Sequence, residues 1–168
     1  ALVNGDVITC SLTSSEPCAI PTTVVSNTLT LGYCTPSAGN SYGECSDTWI
    51  TNVQLGTSVN KTTGCDGFYS NFSNTDTLKA AAGETITYSI TGGSDGSNWY
   101  QRRAIYIDFN KDGDFIDAGE NAVDIATGAL EISIATFPLP QGLASGSYRI
   151  RVVGSFDDNF SPCTANSG

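Results

Sequence analysis

The chain has no histidine and no methionine, and only seven of its 168 residues are lysine or arginine. Without an imidazole, the general base of most serine and cysteine hydrolases is missing, and so are the usual Cys/His zinc sites. GNSYG (39–43) has the G-x-S-x-G spacing of a nucleophile elbow, but nothing is there to activate Ser41, and a tight turn is the ordinary reading. Asp157 and Asp158 are adjacent, so on a strand they would face opposite ways rather than flank a glycosidic bond. No catalysis is expected. Net charge is −10, which makes nucleic acid and anionic membrane surfaces poor partners, because both require basic patches. No apolar run approaches the roughly 20 residues of a membrane-spanning helix, so no membrane insertion is expected. A start at Ala1 without methionine reads as a processed or excised piece of a longer chain.

What is abundant is Thr, Ser, Asn and Gly, with charged residues at only 14%, the profile of a secreted β-protein and not of a helical bundle. ETITYSIT (84–91) alternates cleanly, with Ile86, Tyr88 and Ile90 on one face. RAIYIDF (103–109), EISIATF (131–137) and SYRIRVV (147–153) read the same way, and WITNVQLG (49–56) reads as a weaker strand. AVDIATGAL (122–130) comes nearest to a helical period, and its Thr-Gly interrupts it. Short strands separated by Gly/Asn/Asp/Ser turns predict an all-β fold, a jelly-roll-like antiparallel β-sandwich. Residues 1–30 form an N-terminal extension or linker, or else an added strand, ahead of a domain over 31–168.

Six cysteines stand at positions 10, 18, 34, 45, 65 and 163 with no C-x-x-C among them. Disulfides in an oxidising compartment follow, hence a secreted or cell-surface location. Fifteen connectivities are open. The favoured set has two local loops, Cys10–Cys18 and Cys45–Cys65, and a clasp, Cys34–Cys163. In the chain-entropy model that clasp contributes roughly 4–5 kcal/mol because it closes so long a loop.

Residues 108–120, DFNKDGDFIDAGE, hold four Asp and one Glu out of the chain's seventeen acids. Asp108, Asn110 and Asp112 fit positions 1, 3 and 5 of a D-x-N-x-D-G calcium loop, and Gly113 permits the sharp turn at position 6. Asp114 supplies position 7. The usual bidentate Glu at position 12 is replaced by Gly119, so the closing ligand is either Asp117 or Glu120. The upstream segment is a strand, which excludes an EF-hand. Ca²⁺ suits six to eight hard oxygens better than Mg²⁺, which insists on octahedral geometry and keeps its waters. A plain Asp-Gly hairpin turn accounts for one or two acids, not for five spaced around a glycine.

Aromatic residues are the other candidate feature. Trp49, Trp99, Tyr100, Tyr69 and Tyr42 could form a platform for an extracellular polymer, polysaccharide or protein. The best placed are Trp99 and Tyr100 in NWYQRR (98–103), where a Gly-rich loop enters a strand. The plainer reading puts most of them in the core. Sequons at Asn60, Asn71 and Asn159 matter only in a eukaryotic secretory pathway.

Taken with these segments, YCTPS (33–37), WITNVQLGTSVN (49–60), GFYSNFSN (67–74), LKAAAGETITYSI (78–90), IYIDFNKDGDFIDAGE (105–120), GSYRIRV (146–152) and SPC (161–163) resemble, in order and spacing, the GEVED domain of secreted bacterial proteins. The resemblance implies a β-sandwich module appended to large exported enzymes, often proteases, or to surface adhesins. It implies an accessory role within a larger multidomain chain, with a purely structural spacer as the alternative. It also favours the Cys34–Cys163 pairing. A final strand reading roughly YGEVEDY should follow Cys163 in that family, whereas the sequence here ends at TANSG, and YGEC (42–45) lies at the wrong end to replace it.

Overall fold

A computed structural model describes residues 7–16, 20, 23–26, 29–30, 34, 48–64, 69–156 and 161–163. Among them every regular element is a strand and every pairing is antiparallel. The chain divides into two compact units, Ala1–Tyr33 and Cys34–Gly168. In the first, β1 (Val7–Ile8) pairs with β4 (Leu29–Thr30), and β2 (Ser11–Thr13) pairs with β3 (Thr23–Val25). These strands are short and their described side chains lie exposed. The expected Cys10–Cys18 bond is not formed, because Cys10 carries a free, exposed thiol. Its backbone is instead tied to Ser26, whose N–H donates to the Cys10 carbonyl at 2.8 Å. Cys18, and the whole of the expected Cys45–Cys65 pair, lie outside the described residues.

The second unit has two sheets. In the larger one, β10 (Ile132–Pro138), β7 (Thr85–Ser94), β5 (Thr48–Leu55) and β6 (Val59–Thr62) lie side by side in that order. In the smaller one, β8 (Tyr100–Ile107) is flanked by β11 (Ile150–Ser155) and β9 (Asn121–Gly128). β7 keeps the alternation of its sequence, with Ile86, Tyr88 and Ile90 buried while Thr85 and Thr87 face water. Those three join Val53 and Leu55 of β5, Ile105 and Ile107 of β8, Val123 of β9 and Phe137 of β10 in one apolar cluster. Residues from both sheets therefore share a single core, the dominant stabilising term of the unit. The segment AVDIATGAL, with its near-helical spacing, supplies most of β9 and the turn after it: β-branched Val123, Ile125 and Thr127 alternate with the exposed Asp124 and Ala126. The other face of β10 is left with Ile132 and Ile134 exposed.

β8 is covered on both faces. Gln101, Arg103, Ile105 and Ile107 point to the main core, while Ala104 and Tyr106 join Phe115 and Cys34 in a smaller second cluster. Cys163 packs beside that cluster and is disulfide-bonded to Cys34, as the clasp pairing expected. Arg103 is fully buried and, among the described residues, has no carboxylate partner. Its Nε donates to Gln101 Oε1 (2.6 Å), Nη1 to the carbonyls of Ile90 and Glu131 and to Ser133 Oγ, and Nη2 to the carbonyls of Ala129 and Gly128. Six neutral oxygens satisfy its donors and so offset the cost of burying the charge. That burial lowers its pKa from the usual arginine value, against the opposing pull of Glu131.

Candidate metal centre

β8 ends at Ile107, and the acidic segment 108–120 connects it to β9. Successive side chains fold the loop on itself. Asn110 Oδ1 accepts the Asp112 N–H (3.0 Å), Asp112 Oδ1 the Asp114 N–H (3.1 Å) and Asp114 Oδ1 the Ile116 N–H (3.0 Å). Asx turns of this kind are the reason Asp and Asn dominate such loops. Lys111 takes the left-handed conformation (φ 63°), as does Gly113 (φ 104°). The Lys111 ammonium rests 4.2 Å above the ring of Tyr148.

The result is a cluster of three carboxylates, Asp112, Asp114 and Asp117, each offering an oxygen within 4.8 Å of the others. Asn110 Nδ2 donates to both Asp112 (2.8 Å) and Asp117 (2.6 Å), so the donor lies where the field of the two acids favours positive charge. The Asp114 N–H, then the Asn110 side chain, hold the Asp112 carboxyl below the ordinary aspartate range. An all-oxygen anionic cluster of this composition suits a hard divalent cation.

Of the other two acids in the segment, neither belongs to that cluster. Asp108, only 2% exposed, turns Oδ2 to the guanidinium of Arg149 (Nη2 at 3.0 Å, Nε at 3.3 Å), while its Oδ1 is buried and, among the described residues, has no hydrogen-bond partner. Glu120 is equally buried and accepts the N–H groups of Phe109 (3.0 Å) and Asp117 (3.3 Å), closing the base of the loop. Burial raises its pKa, against those hydrogen bonds, and the charge of Asp108 raises it further. The structure thus gathers Asp112, Asp114 and Asp117 with Asn110, and sets Asp108 and Glu120 beneath them. Arg149 and Phe115 escaped the sequence reading. The one available signal for Arg149 was the Arg-x-Arg alternation in SYRIRVV, which puts Arg149 and Arg151 on one side of the chain.

The aromatic candidates are dispersed. Trp99 is half exposed at the entry to β8, its Nε1 donating to Asp95 (3.0 Å) and its ring meeting Phe156 edge to face at 6.0 Å. Tyr100 and Tyr69 are exposed, while Trp49 is half buried over Gly93. Tyr42, Ser41, Asp157, Asp158 and Asn159 lie outside the described residues. The family model of the GEVED domain matches residues 102–168, from the residue just ahead of the expected RAIYIDF strand through the acidic loop to Gly168. No curated protein and no solved structure matches the chain.

Proposed function

We propose that this chain, with its GEVED-domain match over residues 102–168, is a non-catalytic accessory module of a secreted or cell-surface bacterial protein. We read its two sheets as the layers of a sandwich and its acidic loop as a Ca²⁺ site. The observation carrying the calcium reading is Asp108 Oδ1, a buried carboxylate oxygen without a partner among the described residues, at the head of a loop whose next three aspartates already converge. A buried polar atom left unpaired costs about 1–3 kcal/mol, more when charged, so the fit of a cation there has a physical motive. Asp112, Asp114 and Asp117 would hold the ion, with Asp108 and the Asn110 amide as further oxygen donors. Bound Ca²⁺ would neutralise the acids and cross-link the loop.

The role is adhesion or targeting to an extracellular polymer, polysaccharide or protein, through the exposed Trp99, Tyr100 and Phe156. The second reading, a calcium-stiffened spacer, draws support from Trp99 itself, whose Nε1 and ring are both engaged within the chain. Titration calorimetry tests the site: one Ca²⁺ per chain should bind, and binding should vanish in Asp112→Ala. Retention on insoluble polymers that drops in Trp99→Ala supports the binder, and uniform failure to be retained supports the spacer.

A further inference from the structure

The contacts around Cys34 join the acidic loop to a bond that lies far from it in sequence. The Cys34 N–H donates to the carbonyl of Gly113 (3.2 Å), the residue between Asp112 and Asp114. Phe115, next in the loop, is buried against Cys34, Ala104 and Tyr106, with Cys163 alongside. Arg151 covers this group. Its guanidinium lies 4.6 Å over the Phe115 ring, Nη2 donates to the Cys34 carbonyl (3.1 Å) and Nη1 reaches both Cys34 Sγ (2.8 Å) and the Pro162 carbonyl. A disulfide, a cation and an aromatic ring of the loop thus form one stack, from which the carbonyl between two candidate ligands is hung.

We propose that the Cys34–Cys163 disulfide and cation binding at the 108–120 loop are thermodynamically linked: reduction of the bond lowers the affinity for Ca²⁺, and bound Ca²⁺ protects the bond. This rests on the reading of the loop as a Ca²⁺ site. The chemistry is ordinary thiol–disulfide exchange with an external dithiol. One thiolate of the dithiol attacks Sγ of Cys163, the less buried of the two residues, and the electron pair of the S–S bond leaves on Cys34 Sγ, where Arg151 faces the developing thiolate. The second thiolate then displaces Cys163. Two cysteine thiols and one cyclic disulfide result, and the two protons of the dithiol are conserved. Once the bond is gone, residue 34 loses its covalent hold on Cys163, and the Gly113 and Phe115 contacts lose the anchor that fixes them.

The experiment uses two measurements of one coupling. Ca²⁺ affinity is compared between the oxidised chain and Cys34→Ala/Cys163→Ala, and the expected loss is about tenfold, within the usual range of such couplings. In a dithiothreitol redox buffer, saturating Ca²⁺ should raise the equilibrium ratio of intact to reduced Cys34–Cys163 by the same factor, because linkage is reciprocal. That second measurement needs no cysteine variant, so misfolding of the double variant leaves it decisive. Phe115→Ala keeps both cysteines and should shrink the effect. An unchanged ratio overturns the linkage, and a full effect in Phe115→Ala overturns its route through the stack. If the oxidised chain takes up no Ca²⁺ at all, the calcium reading itself fails, a result distinct from equal affinity in the two forms.

Discussion

The guanidinium of Arg103 occupies the space beside residue 92 in which a side chain would stand. A Cβ at Gly92 would collide with Arg103 Nη2 and the Ala129 carbonyl, and would approach Gln101 Oε1 to 2.6 Å. The glycine at position 92 of β7 is therefore what lets a cation be buried there.

Gly92→Ala should destabilise the second unit by about 1–3 kcal/mol, the usual cost of forcing atoms into a packed interior. Arg103→Met should cost more, at least about 3 kcal/mol, because it strands the carbonyls of Ile90, Ala129 and Glu131 together. Urea unfolding followed by tryptophan fluorescence measures both. A Met variant as stable as the parent would show that these carbonyls find other donors.

Metal should register as stability. Ca²⁺ at 100 times its Kd should stabilise the folded chain by about 2.7 kcal/mol, seen as a higher melting midpoint than in EDTA. Asp112→Ala should melt at the same temperature in both solutions. A parent midpoint that EDTA leaves unmoved would mean that no structural ion is held.

Acid should act on the fork between Arg102 and Asp124, where Nε and Nη2 meet the two carboxylate oxygens at 2.6 and 2.5 Å. Those hydrogen bonds hold the Asp124 carboxyl below the ordinary aspartate range. A depressed carboxyl contributes stability that is fully present above its unfolded value, about 3.9, and is lost as pH falls through the lower folded value. Being partly solvated, the pair is worth no more than about 1 kcal/mol. In EDTA, Asp124→Asn should be less stable than the parent at pH 6 by that margin, and the difference should shrink as the solution is acidified below the unfolded value. Parallel curves would remove the pair from the pH response.

Much of the second unit was legible because its strands obey simple periods. ETITYSIT is solvated on one side only, so its alternation revealed both the strand and its buried face. β9 was obscured because Ala, Asp and Gly dilute its β-branched positions, and pairing with β8 decides its conformation. Burial of Arg103 has no local signature, since its partners at 128–131 arrive from the connection that leads from β9 to β10. The loop divides in the same way. The convergence of Asp112 and Asp114 follows from spacing and a glycine, whereas the pairing of Asp108 with Arg149 spans 41 residues and depends on β11 lying beside β8. The Cys34–Cys163 bond was one choice among fifteen connectivities, supported further by a family resemblance, and Cys10, expected to pair, shows how little spacing alone says about connectivity.

The outward row of β10 has a consequence for handling the protein. Ile132, Ile134 and Thr136 project from a strand that, among the described residues, hydrogen-bonds on one side only and runs seven residues without a bulge or a charge. Such a strand is a template for aggregation. Concentrated solutions should form β-rich oligomers that grow through this segment, and Ile134→Lys should raise the concentration at which light scattering first appears without shifting the melting midpoint.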